Sequence, residues 1–305
     1  MSTPRAPETE PAAPGSLTTA MPDAPLAVPL LAGRRFLITG VLTPKSIAYA
    51  IAGACLRSGA EVVLTSFGRA MSLTERSARR LGVDEPVLEM DATRPDQVQA
   101  VARAVEARWG ALDGAVHAIG YAPEDALGGK FLTTPWESVA TAIQVSAFSL
   151  KTMAQELTPL MAARGGSLVT LTFDATVAWP LYDWMGPAKA ALEAIVRYLA
   201  RELGPRRIRV NSISAGPLET VAAKAIPSLI GLKDAWERVA PLGWNSADAS
   251  PVADAAVFLL SDLSRAVTGE MLHVDGGYHS QGARVPGDTS GLPEIELRPM
   301  AQEEP

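Results

Sequence analysis

Short apolar runs that end on glycine or a turn residue alternate along this chain with longer stretches of helical period. The runs are RRFLITG (34–40), EVVLTSF (61–67), PVLEMDA (86–92), GAVHAIG (114–120), GSLVTLTF (166–173), RVNSISAG (209–216) and EMLHVDGG (270–277). Each has the length of a strand, and most are near-continuously apolar, the pattern of a strand covered on both faces. Between them, SIAYAIAGACLRSG, PDQVQAVARAVEARWG, a long stretch over about 136–163 and AKAALEAIVRYLAREL are each long enough to cross back over a sheet. This alternation predicts a seven-stranded parallel sheet with helices on both faces. Right-handed crossovers make it a single doubly wound, Rossmann-like α/β domain.

The two ends lack any such period. Residues 1–29 mix Pro, Ala, Thr, Ser and Glu and cannot offset the entropy of ordering, which predicts a disordered tail. Residues 283–305 are similar, a flexible tail in which Leu292, Ile295 and Leu297 could dock on a neighbour. The folded unit is then 30–282, and the 305-residue length holds one domain rather than two.

Composition narrows the function classes. With 48% hydrophobic and 20% charged residues the chain can bury a core, so fibrous and wholly disordered readings fail. A net charge of −6 without a Lys or Arg run gives no footprint for nucleic acid. No apolar stretch of about 18 residues predicts a membrane span, and no signal peptide is recognisable at the N-terminus. Cys55 is the single cysteine, so no internal disulfide is possible and a reducing cytoplasm is the expected compartment. Only six of the 27 basic residues are lysines, so a lysine in a special place carries weight.

In open α/β sheets ligands bind beyond the carboxyl ends of the strands, where strand order reverses. After the first run come Gly40 and, six residues on, Ser46 at the head of a helix. Gly40 permits a sharp turn near a ligand, and Ser46 is placed to cap a helix whose amides can face a pyrophosphate. One glycine is not G-x-G-x-x-G, and a plain strand, turn and helix fits the same residues. The second run ends on Phe67, Gly68 and Arg69, with no acid to grip a ribose. Phe67 is either an adenine platform or the last core residue of its strand, and Arg69 could meet a 2′-phosphate, so NADH and NADPH both remain open. Asp91 closes the third run, either accepting from an adenine amino group or serving its own turn. In the fourth, Gly120 allows backbone approach to a cofactor, and His117 reads as structural.

After the fifth run, Tyr182 and Lys189 are seven residues apart, about two helical turns, so a helix covering both puts them on one face. Pro187 favours a first turn, which would start the helix there and leave Tyr182 on the preceding loop. A phenol beside an ammonium at a helix start suits proton donation, although such pairs are often boundary residues.

Together these segments resemble the short-chain dehydrogenase/reductase superfamily and, within it, the enoyl-acyl carrier protein reductases. Residue 186, where most of the superfamily has its lysine, is Gly186, and the Tyr-x6-Lys spacing marks the enoyl reductase branch. The resemblance also rests on Ser46-Ile47-Ala48, HAIGYAP (117–123), VSAFS (145–149), NSISAGP (211–217) and Thr268-Gly269-Glu270 leading to VDGG (274–277). Phe67, Phe173 nine residues before Tyr182, and PLGWN (241–245) are most like the mycobacterial-type branch. Ala118 stands where relatives commonly have Ser, Phe148 replaces a usual Tyr, and the stretch from Thr220 to Trp244 is shorter than in long-chain mycobacterial enzymes.

The resemblance implies reduction of a trans-2-enoyl thioester by a nicotinamide, in fatty acid or related biosynthesis. Tyr182 would donate to the thioester oxygen, Lys189 would hold the nicotinamide ribose, and Phe173 would shape the hydride face. It places Gly40, Ser46, Ile47, Phe67, Asp91, Ala92, Ala118, Ile119, Gly120, Ala215, Gly216, Pro217, Leu218 and Thr220 along NADH, with NADPH possible, and assigns no metal. Segment 218–242 becomes a lid favouring short or medium acyl chains. An acyl carrier protein is the implied partner, with Lys224, Lys233 and Arg238 as cationic candidates near the lid, and the implied assembly is a homotetramer. A carbonyl reductase or other specialised reductase on the same fold is the alternative enzyme, and a non-catalytic nucleotide-binding scaffold the alternative of another class.

Overall fold

The alternation of apolar runs and amphipathic stretches resolves into seven parallel strands in the order β3-β2-β1-β4-β5-β6-β7. The computed structural model describes residues 29–221, 223 and 229–282. The strands are β1 (Arg35–Ile38), β2 (Glu61–Ser66), β3 (Leu88–Glu89), β4 (Gly114–His117), β5 (Gly166–Thr172), β6 (Ile208–Ala215) and β7 (Met271–Val274). All seven runs therefore pair in one sheet, as the doubly wound reading requires. The expected tails fall outside the described residues except for Pro29, as do residues 222 and 224–228 of the expected lid.

Alternate side chains on each strand enter different cores. Phe36, Ile38, Val62, Leu64, Val169 and Ile213 pack under α1 (Ile47–Arg57) and the helix over Ser250–Leu260. Leu37, Val63, Ala115, Leu168 and Val210 face the other way. There they meet α3 (Pro95–Trp109), the helix over Ser149–Met161, and that over Met185–Leu203.

Two helices escape the apolar-period reading. α2 (Met71–Leu81), between β2 and β3, buries Thr74, Ser77 and Ala78, with Leu81 half-buried against the core, so its inner face is built mostly of small and hydroxyl residues that an apolar count passes over. Ser250–Leu260 is apolar nearly all round because it packs deep against β5, β6 and α1. β3 is also shorter than the 86–92 run, two residues paired to Thr65 and Ser66. The 136–163 stretch is three pieces: α4 (Trp136–Ile143), a π-turn over Gln144–Phe148, and α5 (Ser149–Met161). In this numbering α6 is Met185–Leu203, α7 Leu229–Val239 and α8 Ser250–Leu260.

Strand order reverses at β1, which pairs with β2 on one side and β4 on the other. Gly40, just past β1, sits at φ 80°, and a Cβ there would stand 2.1 Å from the Ala118 carbonyl oxygen beyond β4. Only glycine lets the two strand ends pass this closely. The crevice at this point is where a dinucleotide fits an open α/β sheet.

Candidate active site

The loop from Gly40 to α1 is braced differently from the sequence expectation. Ser46 does not cap α1. Its Oγ accepts from the Leu42 and Thr43 amides, at 3.2 and 3.0 Å, and so folds the loop back on itself. Ser77 of α2 donates to the Leu42 carbonyl at 3.1 Å and fixes the loop from outside. The α1 N-terminus, which begins at Ile47, is left without a side-chain cap, so its amides remain available to an anion.

The rest of the expected dinucleotide track lies on successive strand ends. Phe67 follows β2 and is 53% exposed, which removes the reading of it as a core residue. Asp91 uses Oδ1 on the Thr93 amide and hydroxyl, at 2.9 and 2.7 Å, so it serves its own turn and keeps Oδ2 for a ligand. Ala92 is buried beside it. After β4, the Ala118 amide donates to Thr39 Oγ1 at 3.0 Å, which ties this strand end to that of β1. His117 is structural as expected: Thr170 Oγ1 and Ser149 Oγ each lie 2.8 Å from a ring nitrogen. Burial pushes this imidazole down to about 3, with the Lys189 charge adding to the effect, so it stays neutral.

Tyr182 lies on the loop before α6, the second of the two placements that Pro187 left open. It is 5% exposed, and its ring meets Phe173 edge-on with centroids 5.5 Å apart. Burial, with the Glu193 charge, raises the phenol well above its usual range and keeps it protonated. Lys189, in α6, is 8% exposed and donates to the Leu171 carbonyl at 2.9 Å. Burial pushes its ammonium down to about 8, against the opposing pull of Glu193. A side chain on Gly120 would stand 3.7 Å from Lys189 Nζ, so the β4 end and this ammonium share one small space.

On the far side, Ala215, Gly216, Pro217 and Leu218 are buried at the end of β6. Trp244 Nε1 donates to the Pro217 carbonyl at 2.8 Å, which gives the 241–245 segment its role of fixing this turn. Thr220 Oγ1 accepts from the Ala223 amide at 3.0 Å. A cavity of about 400 Å³ opens beside Phe173 and Ala215, walled by Trp179, Trp236, Val239 and Tyr278. Trp236 of α7 stacks on Tyr278, with centroids 3.6 Å apart and planes 9° from parallel. Of the cationic candidates near the lid, Lys233 pairs with Glu219, and Lys224 lies outside the described residues.

A sequence profile described as enoyl-(acyl carrier protein) reductase matches residues 40–279, which takes in this whole constellation. The chain belongs to the enoyl-acyl carrier protein reductase family. Among its relatives, the enoyl-[acyl-carrier-protein] reductase [NADH] of Mycolicibacterium smegmatis is 40% identical over 266 residues, 83% of this chain and 98% of that one. The Aquifex aeolicus enzyme of that name is 40% identical over 254 residues, 83% of this chain and 94% of its own length. A crystal structure of the Anaplasma phagocytophilum family member in complex with NAD aligns with a TM-score of 0.79 at 37% identity. It covers 84% of this chain and 97% of that one.

Within this enoyl reductase fold, sequence reasoning missed several site residues. Glu193 follows Lys189 by one helical turn, a spacing that could have been read. Its Oε1 accepts from Thr172 Oγ1 at 2.8 Å and from the Ala175 amide at 3.2 Å, so one carboxylate oxygen holds both flanks of Phe173 and Asp174. Trp179, Trp236 and Tyr278 come from three distant segments, and only the fold joins them.

Proposed function

We propose that this chain reduces the trans-2 double bond of an enoyl thioester, presented on an acyl carrier protein, with NADH as reductant. The observation that carries the reading is the buried Tyr182 phenol against Phe173, with the buried Lys189 ammonium seven residues on, at the end of a dinucleotide-binding sheet. Residues present fit the nucleotide: Gly40 allows close backbone approach, the α1 start has no side-chain cap, and Asp91 keeps one oxygen unspent. Phe67, an exposed ring where an acid would bind ribose, offers a stacking face for adenine. Three relatives that carry NADH in their names, at 38–42% identity, agree with that choice.

When bound, NADH supplies the hydride that reaches the β-carbon of the enoyl group. Tyr182 keeps its proton because burial disfavours the phenolate, and it donates a hydrogen bond to the thioester oxygen as charge builds there. Lys189 holds the nicotinamide ribose and orients the ring. Phe173, fixed by Glu193 from behind, sets the face on which the acyl group lies. The reading also carries a cytoplasmic homotetramer, for which the exposed rings of Phe148 and Tyr198 offer apolar contact area.

Following NADH and NADPH oxidation separately with crotonyl thioester tests reductant and substrate together. Tyr182→Phe is expected to lower turnover about a hundredfold, the worth of one oxyanion donor, with NADH affinity nearly intact. Unchanged turnover removes Tyr182 from its role, and activity on a ketone but not on crotonyl thioester makes the chain a carbonyl reductase.

A further inference from the structure

Tyr182 stands between two residues in a backbone conformation that side chains rarely adopt. Leu181 has φ 59° and Asp183 φ 40°, both left-handed. Such strain persists only where surrounding structure over-determines it, and it gathers at functional sites. Here the determinant is one segment, residues 126–131. Asp183 Oδ2 accepts from the Gly129 and Lys130 amides at 2.6 and 2.9 Å. Gly128 N–H donates to the Leu181 carbonyl at 3.1 Å, and Trp184 N–H to the Ala126 carbonyl at 3.2 Å. Trp184 Nε1 reaches the Phe131 carbonyl at 2.9 Å, and the two rings stack with centroids 4.8 Å apart.

Gly128 and Gly129 are themselves left-handed, at φ 80° and 90°. That geometry turns successive amides toward one point, a backbone nest for an anion, and the carboxylate of Asp183 fills it. The Tyr182 ring packs edge-on against Phe173 and in one small apolar cluster with Leu127, Met185 and Ala188. Its position is therefore set by ring packing and by its two backbone neighbours.

We propose that Asp183, seated in the Gly128–Lys130 turn, is a positioning residue that holds the Tyr182 hydroxyl where the reaction needs it. This rests on the enoyl reductase reading of Tyr182. A displacement near 1 Å at a reacting group costs about a hundredfold in rate, so the clamp acts on turnover rather than on cofactor binding.

The test compares Asp183→Ala, Asp183→Asn and Gly129→Ala. Asp183→Ala should lower kcat on crotonyl thioester about a hundredfold while the NADH dissociation constant moves less than about twofold. Asp183→Asn keeps an acceptor oxygen and tolerates the left-handed backbone, so it should restore most of the loss. Gly129→Ala, whose Cβ would sit 3.3 Å from Leu181 Cδ2 on a left-handed residue, should reproduce the loss from the other side of the contact. A second readout needs no turnover: with ¹³C-labelled tyrosine, the Tyr182 ring resonance should shift or broaden in Asp183→Ala and Gly129→Ala but not in Asp183→Asn. Wild-type kcat in Asp183→Ala, equal losses of kcat and NADH affinity, or an unmoved Tyr182 resonance overturns the clamp. A wild-type protein inert on every enoyl thioester overturns the reductase reading instead, and the resonance still decides the clamp.

Discussion

Replacing Lys189 by Met should make the cofactor-free protein more stable at pH 7 while abolishing its hold on NADH. Burial pushes the Lys189 ammonium from 10.5 down to about 8. One pKa unit is worth about 1.4 kcal/mol, so keeping that proton inside the fold at neutral pH costs about 3 kcal/mol relative to the unfolded chain. Below pH 8 both states hold the proton and the penalty is complete. Between about 8 and 10.5 the folded state has released it and the unfolded chain has not, so stability rises with pH across that window. Methionine removes the penalty at every pH but also removes the bond to the Leu171 carbonyl, worth about 1–2 kcal/mol. The net gain at pH 7 is then about 1–2 kcal/mol, and it should reverse in sign above pH 10. Urea unfolding followed by tryptophan fluorescence, at equal protein concentration without cofactor, measures this directly. A Met variant less stable than wild type at pH 7, or a difference between the two that stays flat from pH 7 to pH 10, refutes the argument. Retained NADH binding in the variant separately refutes the role given to the ammonium.

Gly40→Ala must place a methyl group 2.1 Å from the Ala118 oxygen at a left-handed φ, so it should lose both NADH binding and at least about 3 kcal/mol of stability. Wild-type NADH affinity in that variant would show that the β1 and β4 ends are not what shapes the crevice. The Trp236 and Tyr278 stack walls the cavity beside Phe173, so a series of enoyl thioesters should favour short or medium chains in the wild type. Tyr278→Ala should move the optimum longer, by about tenfold in kcat/KM for each added pair of methylenes that finds room. A wild-type optimum at very long chains would refute this.

What could be read from residue order was the part that repeats physically. Near-continuous apolar strands announced a two-faced parallel sheet, and all seven paired. The spacing of Tyr182 and Lys189, with Pro187 between them, limited the site to two placements, of which the structure chose the loop. α2 was invisible because its inner face is mostly Thr74, Ser77 and Ala78 rather than large apolar residues, and α8 because an all-round apolar helix has no period. Ser46 misled because its hydroxyl prefers two amides of its own loop to those of the helix behind it. The aromatic wall and the Asp183 nest are assembled from positions far apart in the chain, so no local pattern could report them.

The π-turn over Gln144–Phe148 imposes a counting rule on this protein. At its centre Ser146 both donates to the Tyr121 carbonyl, at 2.8 Å, and accepts from the Tyr121 amide, at 2.9 Å, which ties the helix to the loop that follows β4 and Gly120. A π-turn holds one residue more than the α-turn it interrupts. Deleting one residue there would let α4 and α5 close into one regular helix with the faces of both pieces kept, because the widened turn absorbs the extra residue locally. Ser146, which sits in the widened turn, would lose its place opposite Tyr121. The loop over 121–135 is pinned twice, at Tyr121 by Ser146 and at Gly129 and Lys130 by Asp183. The helix after it is held to an exact tally of residues, one more than helical regularity would ask for.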